Sequence, residues 1–489
     1  MAGLRTLHSL LLGRCTVSDV RDFGVLGDGR TDNSQAIQHA LEQHDGTLDF
    51  PRGDYLLERT VEVRLAECGP VTIKGVGGAA RLIMAGQGPA LRWLGTHQGT
   101  ADPKSLRPQI WERERCPQIR DLEITGTHPE ADGLELRGCW QPGCLGLTIH
   151  DVRHGISVID RNRNVIIERC HIYHNSGVGI FLDHVNLHQI NIVGSHISYN
   201  QLGGIRAEGS EVRNMQITGN DIEYNNSASH AVGTSDEQDP TAEIYLSCGE
   251  KGSLREITIA SNTIQATASS GGANIRLIGS PDKNHRIGML TISGNLIGSQ
   301  EANVWGTRCR GIVLSGNYIY GAEFRNVFLE DCENVAFSGN CIGANPDYQV
   351  PIRQVGVRFE RCLGVNMSGD MFESMSMVDP NLISQSHRPL EALIEIHQSE
   401  GVLLAGCQLV DAIPAAIHAQ ASNLVTVDHC QMTNRKPSTD RRSTIYWEGP
   451  GQNNAVRNCM IQSGSEGAMV IDRDAGVLLD GNTILPIEQ

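Results

Sequence analysis

A motif of the form apolar-x-apolar-x-Gly-(Asn/Cys/Ser)-x-Ile returns along most of the chain, and few folds can accommodate it. It reads IIERCHI, NIVGSHI, QITGNDI, TIASNTI and TISGNLI, then VLSGNYI, AFSGNCI, NMSGDMF, LLAGCQL, TVDHCQM, VRNCMI and LLDGNTI. The polar position is in turn Cys170, Ser195, Asn220, Asn262, Asn295, Asn317, Asn340, Asp370, Cys407, Cys430, Cys459 and Asn482. Several intervals are 22 to 25 residues, and the longer ones are the same unit with insertions. Each unit carries a second strand, among them GISVID, GIFLDH, GIRAEG, EIYLSC, NIRLIG, NVWGTR, NVFLED and GVRFER. Period-2 strands joined by Gly- and Asn-rich turns, with no helical period between them, stack like on like at about 4.8 Å per coil. Inward Ile, Val and Leu then form columns, and the repeated polar corner forms a ladder satisfying backbone groups of its own or the next turn. The expected fold is all-β, a right-handed parallel β-helix. A β-sandwich does not account for a polar corner repeated twelve times.

At 489 residues the array is long enough to bury its own core. Forty basic against 56 acidic residues leave a net charge of −16, the wrong sign for nucleic acid. A few local arginines can still hold an anionic sugar polymer. No apolar stretch approaches membrane-spanning length, so no membrane partner is expected. Fourteen cysteines would suggest disulfides, but Cys170, Cys341, Cys407, Cys430 and Cys459 sit beside aliphatic residues in strands. Free, buried thiols are the expectation. Residues 1–17, MAGLRTLHSLLLGRCTV, read as a leader of uncertain role, and localisation stays open. Residues 18–66 read as an N-terminal cap of one helix and the first strands, and 67–489 as the β-helix.

Residues 20–57, VRDFGVLGDGRTDNSQAIQHALEQHDGTLDFPRGDYLL, resemble the opening motif of the pectate-lyase-like β-helix superfamily. The order matches: D-F-G-x-x-G-D-G-x-T-D, an amphipathic helix, then a short strand with P-x-G-x-Y. Asp32 or Asn33 can cap that helix, and Ala36, Ile37, Ala40 and Leu41 make its buried stripe. The resemblance implies a helix covering the open end of the stack, and a superfamily usually exported and often trimeric, which leaves a homotrimer open here. For the reaction it implies little, since relatives include polysaccharide lyases, glycoside hydrolases, uronate epimerases, fructan transferases and phage tailspikes. The N-T-D, paired-Asp, G-H-G and R-I-K motifs of polygalacturonase-like members are missing. So are the D-P-H-E motif of alginate epimerases, for which DPTAEIY at 239–245 lacks the histidine, and the aspartate cluster of calcium-dependent pectate lyases.

The insertions fall mainly between the ladder strand and the second strand, at 224–242, 344–354, 373–391 and 434–443. Loops leaving one edge would wall one face, a common mark of the binding face. Strict alternation gives that face a first outward column of Glu135, Ser157, Phe181, Arg206, Tyr245, Arg276, Trp305, Phe328, Arg358, Glu395, His418 and Tyr446. The second column is Arg137, Ile159, Asp183, Glu208, Ser247, Ile278, Thr307, Glu330, Glu360, His397, Gln420 and Glu448. The first holds five of the 22 aromatic residues, interleaved with three arginines. Aromatic faces beside guanidiniums and carboxylates suit sugar rings, which makes Phe181, Arg276, Trp305, Phe328 and Arg358 candidate substrate-binding residues.

Asp183 and Glu208 share a strand position on adjacent coils, so their carboxyl groups are expected about 5 Å apart. Such a pair splits its pKa values and suits glycosidic cleavage, in the retaining geometry at about 5–5.5 Å. Arg206 shares a face with Glu208, and His184 and Tyr245 are proton-transfer candidates nearby. His230, Asp236, Glu237 and Asp239 lie in the longest loop, and read as a solvated acidic loop more readily than as part of a site. No metal-ligand spacing stands out, so no cofactor is expected, with a divalent cation such as calcium left open. Three functions fit. The leading one is a polysaccharide lyase acting on a uronate-containing polymer, with Arg206 or Arg276 on the sugar carboxylate and Tyr245 or His184 moving the proton. A glycoside hydrolase or transglycosylase using Asp183 and Glu208 is the second, and a non-catalytic carbohydrate-binding β-helix the third.

Overall fold

A computed structural model describes residues 18–99, 102–225, 242–266, 269, 271–345, 355–373, 390–435 and 442–487. The leader, the residues His230 to Asp239 singled out above and most of the four long insertions lie outside these residues. The described chain is a parallel β-helix with three strands per coil, wound with the right hand that parallel crossovers take. One coil runs through Ala242–Ser247, Ser253–Ala260 and Thr263–Gln265, and each strand pairs in parallel with its counterpart Ala273–Ile278, Gly288–Ser293 and Leu296–Gly298.

Stacking turns the repeated x-Ile position into a single column through the lumen. Ile149, Ile172, Ile197, Ile222, Ile264, Ile297, Ile319 and Ile342 are aligned coil on coil, each fully buried. Burying one such side chain contributes about 1.5–3 kcal/mol, and β-branched residues fit the pleat without losing further rotamer freedom. Among the described residues every cysteine is a free thiol, and most are buried in these same walls.

The polar corner is a continuous ladder from Cys170 to Asp370. Each backbone N–H donates to the side chain one coil further on: Cys170 to Ser195, Ser195 to Asn220, then through Asn262, Asn295, Asn317 and Asn340 to Asp370, at 2.8–3.1 Å. The asparagine amide also reaches back; Asn295 Nδ2 donates to the Ile259 carbonyl at 3.0 Å. One side chain thus joins three coils. The preceding residue must turn with positive φ, which is why glycine recurs there, as at Gly294 with φ 62°. Asn295→Ala would leave the buried Asn262 N–H without an acceptor. It is expected to destabilise the chain by about 1–3 kcal/mol, read as a lower denaturation midpoint; an unchanged midpoint would mean the ladder carries no stability.

At the N-terminal end, helix Ser34–Gln43 packs on Val61–Arg64 and on the turn Val20–Phe23. Ile37, Ala40 and Leu41 are buried, and Asp32 caps the helix by accepting the Ser34 N–H at 2.9 Å. Asn33 instead ties the approach loop, accepting the Leu26 N–H and donating to the Leu26 carbonyl.

Candidate functional site

Both outward columns fall in register. Phe181, Arg206, Tyr245, Arg276, Trp305, Phe328, Arg358, Glu395, His418 and Tyr446 follow one another on adjacent strands. Asp183 pairs with Glu208, and further along Thr307, Glu330, Glu360, His397, Gln420 and Glu448 form the second column. On several strands of this face one residue with positive φ turns the chain, His184 at φ 47° within strand Ile180–Val193 and Arg361 at φ 52° just after strand Val357–Glu360. Four of the long insertions enter at the start of a groove strand, so their ends share one edge.

This outer face is not washed by solvent. Arg206, Tyr245, Phe328, Arg358, Glu395 and His418 are all buried, although they point away from the lumen. Tyr245 packs with Ala242, Ala273, Ala302 and Trp305 in a small apolar cluster of its own. Trp305 meets Phe328 at 5.5 Å between ring centroids, and Phe324 closes edge-on against Phe328. Phe181 lies outside this cluster and faces His154, ring centroids 5.1 Å apart.

The arginines are held differently from one another. The Arg206 guanidinium binds Glu208 through Nε at 3.0 Å and through Nη2, and lies 4.4 Å from the centre of the Tyr245 ring. Arg358 gives two bonds to Glu360 Oε2, at 3.0 and 2.7 Å. Burial pushes the Glu360 carboxyl up, but Arg358 and Arg361 together outweigh it and hold it below the usual range. Arg276 has no carboxylate within salt-bridge distance among the described residues. It lies 4.0 Å from the centre of the Trp305 ring, Nη1 donates to Thr307 Oγ1 at 3.2 Å, and Nε is buried without a partner. Burial lowers its pKa to about 10, leaving it charged at neutral pH.

Asp183 and Glu208 are neighbours by register, and each has its own hydrogen-bond partner. Asp183 Oδ1 meets His184 Nδ1 at 2.6 Å on the exposed corner, while Glu208 turns along its strand to Arg206. The two carboxylates thus stand opposite each other by register, with Asp183 bonded to His184 and Glu208 to Arg206.

Two features escape a reading by columns alone. Glu391, His397 and His418 bring three ligand atoms within 4.8 Å of one another. Both histidines stand in the columns, one coil apart on a diagonal, but Glu391 enters from the segment before strand Ile394–His397. A second ladder joins Asn175, Asn200 and Asn225, and ends on buried Glu243. The even 25-residue spacing of the asparagines was there to be read. A shallow polar depression of about 420 Å³, lined by His196, Asp221, Glu223 and Thr263, lies on the strands after the ladder corner, away from these columns. No helix among the described residues is long and apolar enough to cross a membrane.

Comparison with known proteins agrees with this architecture. A family described as "Right handed beta helix region" matches residues 114–241, and one described as "Rhamnogalacturonase A/epimerase, pectate lyase-like" matches residues 17–86. No curated protein matches the chain in sequence. Solved structures similar to it include the A-module of a mannuronan C-5 epimerase from Azotobacter vinelandii, at 15% identity over 96% of this chain and 100% of that one, with a TM-score of 0.45. A surface adhesin of Streptococcus pneumoniae matches at 11% identity over 86% of this chain and 92% of that one, with a TM-score of 0.45. The Dettilon tailspike protein matches at 13% identity over 87% and 70%, with a TM-score of 0.48. Taken with the coil stack and its N-terminal helix, the two family matches show a right-handed parallel β-helix whose N-terminal residues are similar to the pectate-lyase-like family, with no subfamily singled out.

Proposed function

We propose that the chain is a carbohydrate-active enzyme, a polysaccharide lyase that holds a uronate-containing polymer along the column from Phe181 to Arg358. The observation that carries this reading is Arg276, a half-buried cation fixed against Trp305, one coil from Tyr245, with no carboxylate partner among the described residues. A guanidinium in that setting suits a sugar carboxylate, since Arg binds carboxylates bidentately and its charge is little screened there. Neutralising the carboxylate makes the adjacent C–H acidic. A base then takes that proton, the electron pair forms a C=C bond, and the glycosidic C–O bond breaks as its oxygen gains a proton. Tyr245, aligned with Arg276, is the nearer proton carrier, whereas His184 stands three coils back from Arg276 on an exposed corner, bonded to Asp183. Trp305 and Phe328 offer apolar faces to sugar C–H surfaces. The family description that matches residues 17–86 names enzymes of polysaccharide chemistry and supports the same substrate class. Hydrolysis by Asp183 and Glu208, bonded to His184 and Arg206 respectively, is the second reading.

The test is a panel of neutral and uronic polysaccharides, followed for the ultraviolet absorbance of an unsaturated sugar and for new reducing ends. Both signals are expected on a uronic polymer. Reducing ends alone would mean a hydrolase, and an intact polymer retained by the protein would mean a binding helix. Arg276→Ala is expected to lower kcat/KM by about 100-fold or more, the loss typical of a group that stabilises developing charge. Asp183→Asn should leave the rate within a few-fold; its abolition would return the chemistry to the carboxylates.

A further inference from the structure

Toward the C-terminal end of the groove the charges do not close. Glu395 is neutralised by Arg325 and Glu360 by Arg358, both at hydrogen-bond distance. Glu391 and Glu448 have no arginine or lysine partner among the described residues; their neighbours are His397 and His418. Two carboxylates thus face two imidazoles, with no arginine or lysine between them among the described residues.

The geometry is that of a ligand set. Glu391 Oε2 lies 3.0 Å from His418 Nδ1 and 3.7 Å from His397 Nε2. Bonds of about 2.0–2.1 Å in a tetrahedral arrangement hold ligand atoms about 3.3 Å apart, which these distances bracket. His397 is 7% exposed, and its Nε2, turned toward Glu391, is buried with no hydrogen-bond partner. An orphaned imidazole nitrogen in that position loses hydrogen bonding that a metal ion restores. Behind His418, its Nε2 lies 3.3 Å from Glu448 Oε2 and, like His397 Nε2, is buried with no hydrogen-bond partner.

We propose that Glu391, His397 and His418 bind one divalent transition-metal ion of the zinc class. Two imidazoles and one carboxylate select such an ion over calcium or magnesium, which take oxygen ligands. The ion pins the segment entering strand Ile394–His397 onto the groove face. His418 stands five coils from Arg276, about 24 Å along the stack, so the site does not depend on the lyase reading.

The full chain, freed of metal by chelator, is titrated with zinc chloride by calorimetry, with calcium and magnesium chlorides alongside. One equivalent of zinc is expected to bind at micromolar Kd or tighter, with no binding of the other two. The chain carries 14 cysteines, so Co²⁺ is used to identify the ligands. Visible d–d bands without an intense thiolate charge-transfer band are expected; a thiolate band at one equivalent would overturn the assignment. Glu391→Gln replaces an exposed side chain and should fold as the parent does, checked by circular dichroism; it is expected to weaken zinc at least tenfold. His397→Asn with His418→Asn should abolish binding. Should that pair fail to fold, Glu391→Gln and the cobalt spectrum still decide. Zinc affinity unchanged in Glu391→Gln, or no zinc binding by the parent, would refute the site.

Discussion

Glu395→Ala is expected to destabilise the chain by about 3–5 kcal/mol, the cost of leaving a buried charge without its partner. Arg325 Nε donates to Glu395 Oε2 and Nη2 to Oε1, both at 2.8 Å, and both side chains have 0% exposure. Water cannot replace the lost carboxylate. An exposed ion pair is worth about 0–1 kcal/mol, because solvent takes over from either partner. Chemical denaturation of the full chain is the measurement, and a change under about 0.5 kcal/mol would show that the pair is solvated in solution. Arg325→Met combined with Glu395→Leu should recover most of the loss, since well-packed apolar residues often equal or exceed a buried pair. Glu395 also accepts the Glu391 N–H at 2.9 Å. The single substitution is therefore expected to weaken zinc binding as well, by releasing the segment that carries Glu391.

Glu243→Gln should act in the opposite direction, and only at higher pH. Glu243 is fully buried and ends the second ladder, accepting the Asn225 N–H at 2.9 Å and Asn225 Nδ2 at 2.6 Å. Burial outweighs these donors and raises its pKa from 4.5 to about 8. The folded chain therefore keeps a proton that the unfolded chain releases above pH 4.5. Stability falls as pH rises through that window, by about 1.4 kcal/mol per pH unit, and levels off above the folded pKa. Glutamine keeps the acceptor oxygen and does not titrate. Its amide can also serve the buried Oδ1 of Asn274, which stands one coil on in the same column and has no donor. The variant should match the parent near pH 5 and exceed it by on the order of 3–5 kcal/mol at pH 8. Parallel pH profiles for the two proteins would show that Glu243 does not hold its proton.

How much could be read from the chain depends on whether a feature repeats. Asn295 and Ile297 recur in the motif, so their roles as ladder and core follow from period and pleat, and the structure places them accordingly. The groove columns followed from the same alternation. Arg206 to Glu208 was legible too, since i, i+2 residues of one strand share a face. Arg276 differs: the column position was readable, but its lack of a carboxylate depends on Glu330 and its neighbours being taken up by Arg361. Glu391 was beyond reach, because it approaches from a segment outside the repeat.

The sequence by itself determined the solenoid, its lumen, its polar corner and which side chains point outward. Those are one-dimensional properties, set by spacing and by the backbone's need to satisfy its own polar groups. Only the tertiary structure decided which outward charges neutralise one another, leaving Arg276 without a carboxylate among the described residues and Glu391, His397 and His418 facing each other. Pairing on a covered face depends on side-chain reach and desolvation between coils, and on approaching segments that obey no period.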